Sequence, residues 1–205
     1  MVCFKEINIS LCGHDGEEYI NNKLDQQMVI FEEIALFFSN FLTNNNIPTD
    51  IPITVLFFDS NLCHPSMTNY WKKHFKCSHT IYVRAWGMKT KHLLQMLRLL
   101  LVHISNPFHV ITNLGIPDLS TCRGDCKSGE RLKQFMEIYN NFYTYVTETP
   151  HILSTTVLTL VADMTELRSS RAVYVEFMKS VNDFILSLVS SKFSALSLGF
   201  FREET

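Results

Sequence analysis

From Ile51 to Gly115 the chain repeats one pattern: short apolar run, break, helical stretch, short apolar run. Ile51-Pro-Ile-Thr-Val-Leu-Phe-Phe-Asp59 is bounded by turn residues, and His79-Thr-Ile-Tyr-Val-Arg-Ala-Trp86 is closed by Gly87. Lys89 to Ile104 is apolar nearly all round. Asn106-Pro107 then breaks the chain before Phe108-His-Val-Ile-Thr112. Runs of four to eight apolar residues are what strands buried on both faces require, and parallel strands need a crossover between them. The block therefore predicts a βαβ unit within a parallel sheet.

The flanking segments extend that unit. Val2 to Leu11 alternates as a strand does, and Gly13-His-Asp-Gly16 ends it. A helix is expected from Asn22 to Thr43, with Leu24, Met28, Phe31, Ala35, Phe38 and Leu42 on one face and Ile30, Leu36 and Phe37 widening it. Asn44-Asn-Asn46 and Pro48 stop it. Ser66 is the expected N-cap of a short helix to Lys73, and Thr90 that of the helix before Ile104. Asn113 to Gly129 reads as a surface loop. Glu130 to Thr147 is an amphipathic helix with an aromatic stripe through Phe135, Tyr139, Phe142 and Tyr143. A strand follows from His151 to Ala162. A helix from Thr165 to Ser191 comes next, with Val181, Phe184, Ile185, Leu188 and Val189 inward, and the tail from Phe193 adds an edge strand. The expected fold is a single α/β domain over residues 1–205: a three-layer sandwich, with a mostly parallel sheet of four to six strands and helices on both faces.

Composition narrows the function classes. The net charge of −2 gives no basic excess for coating phosphates, so nucleic-acid binding is not indicated. The apolar windows Met28–Leu42 and Leu93–Ile104 carry charges and are too short to span a bilayer. With no leader-like N-terminus, the six cysteines are expected to be reduced thiols in the cytoplasm or nucleus of a protein that is not secreted.

Three constellations could carry chemistry. In an open α/β sheet, ligands gather at the carboxyl ends of strands. Asp59, Asp118 and Asp163 fall near such ends, and together they would suit a divalent cation. Asp59-Ser60-Asn61 also resembles the acidic-hydroxyl loop of von Willebrand A-type domains, which holds a metal; the resemblance covers the strand and these three residues. A second set, Cys63, His74, Cys77 and His79, supplies four sulfur and nitrogen donors of the kind zinc takes, at a spacing unlike a standard finger. Third, His14 in Gly-His-Asp-Gly and Cys122 in Thr-Cys-Arg-Gly-Asp resemble fragments of caspase sites. Their separation far exceeds the caspase interval of about 50 residues, and ordinary polar loops are the better reading. No phosphate-binding glycine motif follows any strand. Tyr70-Trp71-Lys72-Lys73-His74 mixes rings and positive charge, which reads as a helix packing its ring inward with lysines in water.

Missing catalytic motifs, high apolar content and broad aromatic faces point to a non-enzymatic interaction subunit of an intracellular assembly. It would bind protein partners in a hetero-oligomer and need no cofactor. The alternatives are a metal-dependent hydrolase or ligand binder built on the three aspartates, and a zinc-stabilised module.

Overall fold

A computed structural model describes residues 3–10, 23–58, 65–76, 78–86, 89–113, 129–159 and 171–196. The strands are β1 (Phe4–Ser10), β2 (Ile53–Phe58), β3 (His79–Trp86), β4 (Phe108–Thr112), β5 (Ile152–Leu158) and β6 (Phe193–Leu196). The helices are α1 (Lys23–Asn44), α2 (Pro65–His74), α3 (Thr90–His103), α4 (Gly129–Glu148) and α5 (Arg171–Ser187). All six strands lie parallel in one sheet, in the order β1-β3-β2-β4-β5-β6. The expected three-layer α/β fold is what forms.

Strand order decides where the helices go. Crossovers between parallel strands are right-handed, so the direction of each step across the sheet selects a face. Four of the five steps run one way, from β1 towards β6; only β2 to β3 runs back. Accordingly α1, α3, α4 and α5 share one face, where Phe31, Phe38, Leu97, Tyr139, Phe142 and Ile185 pack onto Val55, Phe57, Val83 and Val110. On the other face α2 is the one described helix, with Trp71 over Leu56, Phe58 and Tyr82. Phe58 and Trp71 have ring centroids 4.8 Å apart. The six residues of β2 are all buried, as the centre of a two-faced sheet demands.

Local chemistry sets the element ends. α1 closes in a Schellman turn: the Ile47 N–H donates to the Leu42 carbonyl, the Asn46 N–H to that of Thr43, and Asn46 sits at φ 51°. The asparagine run was the legible stop signal. At α3 the expected cap shifts by one residue. Lys89 is the N-cap, and its N–H donates to His92 Nδ1 at 3.1 Å, while Thr90 is buried inside the first turn. α2 starts at Pro65, so Ser66 lies within the helix rather than capping it. Leu36, expected to widen the buried face of α1, is exposed, as is Val189, which lies past the end of α5. The Thr165 start of the last helix lies outside the described residues. No described helix is long and apolar enough to cross a membrane.

The aromatic stripe of α4 is consumed internally. Phe135, Tyr139, Phe142 and Val146 are buried in the main core, and Tyr143 meets Phe193 edge-on at 5.1 Å. Tyr143 and Tyr145 keep part of their surface exposed.

Candidate functional site

Setting aside β1, the sheet runs β3-β2-β4-β5-β6. The chain leaves β2 for α2 on one face and leaves β4 for α4 on the other. Neighbouring strands whose connections diverge in this way open a crevice beyond their carboxyl ends, where ligands of doubly wound folds bind. The candidate site is therefore the gap above β2 and β4.

Strand register lines up what borders it. Phe57 pairs with Thr112, so Asn113 comes one residue beyond the last matched pair, just as Phe58 does on β2. Asp59 and Ser60 follow Phe58 directly in sequence. Thr112, Asn113 and, at the end of β5, Thr159 are polar yet at most 3% exposed. The Thr159 N–H donates to the Leu196 carbonyl at 2.9 Å, holding the β5 end against β6. Buried polar side chains must be hydrogen-bonded or serve a ligand. Buried polar side chains occur at both ends of the described strands: Thr112, Asn113 and Thr159 at carboxyl ends, and Thr54, Thr80 and Asn106 at or just before amino ends.

His92 stands at the same end of the sheet, since α3 begins there. It is 7% exposed, its ring lies 6.0 Å from that of Phe31, and burial pushes its pKa down to about 4, with Lys91 and Lys89 adding to the effect. Near neutral pH it is an uncharged imidazole whose Nδ1 is engaged by the cap. That suits it to structure rather than proton transfer.

Of the sites expected from sequence, Asp59, Asp118, Asp163, Cys63 and Cys77 lie outside the described residues, as do His14 and Cys122. Strand order nonetheless bears on the aspartates: they follow β2, β4 and β5, which are consecutive neighbours in the sheet. Of the zinc set, His74 and His79 are described. His74 is exposed at the end of α2 and stacks with Tyr70, whereas His79 opens β3 and accepts a hydrogen bond from the Cys3 N–H at 3.4 Å. Among the described residues, no group of three or more His, Cys, Asp or Glu is placed to hold a metal ion. Asn113 was passed over in the sequence, and only the pairing of β2 with β4 sets it beside the end of β2. Ser60 lies outside the described residues.

Comparison with known proteins adds the fold and nothing finer. No family model matches the chain. No curated protein matches it. Twelve chains of solved structures are similar to it. One of them, described as "a putative platelet activating factor from Streptococcus pneumonia", aligns with a TM-score of 0.53 and 16% identity, over 89% of this chain and 82% of that one.

Proposed function

We propose that the chain is a hydrolase of acyl esters, working in the crevice above β2 and β4 with Ser60 as nucleophile. The observation that carries this reading is the register that sets buried Asn113 beside the strand end leading into Asp59-Ser60. Acyl transfer needs a nucleophile, an oxyanion donor and a base, and the sequence between β2 and α2 together with Asn113 offers the first two. Ser60 Oγ would attack the ester carbonyl while its proton passes to a base. The Asn113 amide would stabilise the oxyanion, the alcohol would leave with a proton, and water would then release the acid. His64, Asp118 and Asp163 are the candidates for the base, each tested by replacement.

The experiment is labelling with a fluorophosphonate probe, together with hydrolysis of short p-nitrophenyl esters. Labelling at Ser60, lost in Ser60→Ala, supports the reading; an unlabelled chain with no esterase activity removes it. Asn113→Ala is expected to lower kcat by about 10²-fold or more if its amide meets the oxyanion. Activity that survives Ser60→Ala but disappears with chelator would favour the metal-dependent alternative through Asp59, Asp118 and Asp163.

A second reading keeps the chain as an interaction subunit of an intracellular assembly. It is favoured by the sheet face on the side of α2, where no described helix covers β4, β5 and β6. That face carries His109 bonded to Ser154 at 2.7 Å, Thr156 to Ser194 at 3.1 Å, and exposed Leu196. A chain that sediments as a monomer and copurifies with no partner would end this reading.

A further inference from the structure

The outer surface of α2 sets exposed aromatic rings among lysines. Between Asp59 and Asp118 the chain has no Asp or Glu, yet it carries seven Lys and Arg. A net charge of −2 conceals this local excess, because the acidic residues all lie elsewhere in the sequence. Three of the seven, Lys72, Lys73 and Lys76, are exposed at the end of α2. They lie at the end of α2 that leads into β3.

Beside the lysines is a two-ring platform. The rings of Tyr70 and His74, one helical turn apart, are stacked with centroids 5.9 Å apart and planes 12° from parallel. Both residues are exposed, Tyr70 by 47%. The platform is braced from below. Trp71, 8% exposed, meets Tyr70 edge-on at 4.9 Å, and Phe75 meets His74 edge-on at 5.0 Å. Trp71 is in turn held against Phe58 in the core of the sheet. Such rings are already ordered, so a base stacking on them loses little entropy.

We propose that this surface binds a short stretch of single-stranded DNA or RNA, with bases on Tyr70 and His74 and phosphates on Lys72, Lys73 and Lys76. Stacked aromatic faces interleaved with cations are how sequence-tolerant single-strand sites are built. Among the described residues, the carboxylate of Glu6 is paired with Arg84 at 2.8 Å. An anionic lipid surface would use the same lysines but leave the stacked rings without a role.

The test is fluorescence anisotropy of the full chain with labelled oligo(dT) of about 20 nucleotides, at about 50 and 200 mM salt, the range over which counterion release is read. Saturable binding that weakens ~15- to 20-fold across it is expected from three phosphate contacts on a single strand. Tyr70→Ala should weaken binding roughly 10-fold, and reversal of the three lysines to glutamate should abolish it. Ser60→Ala should bind like the wild type, which separates this surface from the crevice. Photo-cross-linking of the wild-type chain to a 4-thiothymidine oligomer should map to residues 70–76, independently of any variant. Absence of saturable binding at low salt would overturn the proposal. So would indifference to Tyr70→Ala, cross-links confined to other segments, or binding to phosphatidylserine vesicles but not to oligo(dT).

Discussion

Lowering the pH should unlatch the start of α3 through His92. In the unfolded chain a histidine titrates near 6.5, whereas in the fold burial and the flanking lysines bring it to about 4. Between those values the unfolded chain binds a proton that the native chain refuses, so stability is complete above pH 6.5 and falls as the pH drops towards 4. The 2.5-unit gap sets a ceiling of about 3 kcal/mol, of which roughly 2 kcal/mol should be gone by about pH 5. His92→Gln removes the titration and keeps an acceptor at the third helical position for the Lys89 N–H, as a capping box requires. Its cost near neutral pH should be about 1 kcal/mol, from lost packing of the ring on Phe31. Urea unfolding of both proteins at several pH values measures the difference. The wild-type curve should fall more steeply below pH 6.5, and the two should differ in slope there by nearly one proton. Parallel curves, or an imidazole resonance titrating near 6.5, would refute the reasoning.

Other expectations follow from single buried contacts. The Thr155 side chain is fully buried between Val110 and Phe193, and its hydroxyl has no hydrogen-bond partner among the described residues; Thr155→Val should therefore stabilise the protein by about 1 kcal/mol, read as a rise in the urea midpoint. Asn106 donates to the carbonyls of Pro48 at 2.7 Å and Ile51 at 3.0 Å, tying the loop before β2 to the one before β4. Asn106→Ala should cost about 2–3 kcal/mol, measured in the same assay, because both carbonyls lose their donor. Phe142→Ala removes a ring at 1% exposure from the main core and should cost about 3–5 kcal/mol, seen by thermal unfolding.

What the sequence discloses is what local pattern determines. β2 was readable because a strand buried on both faces must be an unbroken apolar run, while β3 and β4, which carry Arg84 and His109, were marked by their apolar content and by Gly87 and Pro107. α1 was readable to its end because three asparagines offer a left-handed residue at Asn46. The cap of α3 was not, since Thr90 looks like the better acceptor. The actual cap uses a histidine three residues on, whose ring is fixed by α1 packing against it. The stripe on α4 was visible, but what covers it was not: its partners come from elements distant in the chain. The same limit hid the crevice. Asp59 after a strand is a local fact, whereas Asn113 becomes its neighbour only through the pairing of β2 with β4. The charge asymmetry of residues 60–117 was present in the sequence and masked by the overall sum.

The position of β1 has a consequence for how the chain is made. Among the described strands its one neighbour is β3, with Phe4 opposite Thr80, while β2, the next described strand to emerge from the ribosome, sits two places away. At a synthesis rate of roughly 5–20 residues per second, the first strand waits seconds as an unmatched edge before its mate exists. Lys5 and Glu6 near its start supply charges of the sort that discourage premature pairing with a stranger. Docking of this strand is thus a late event, and its detachment offers the nascent or heated chain a route to opening in which the rest of the sheet stays closed.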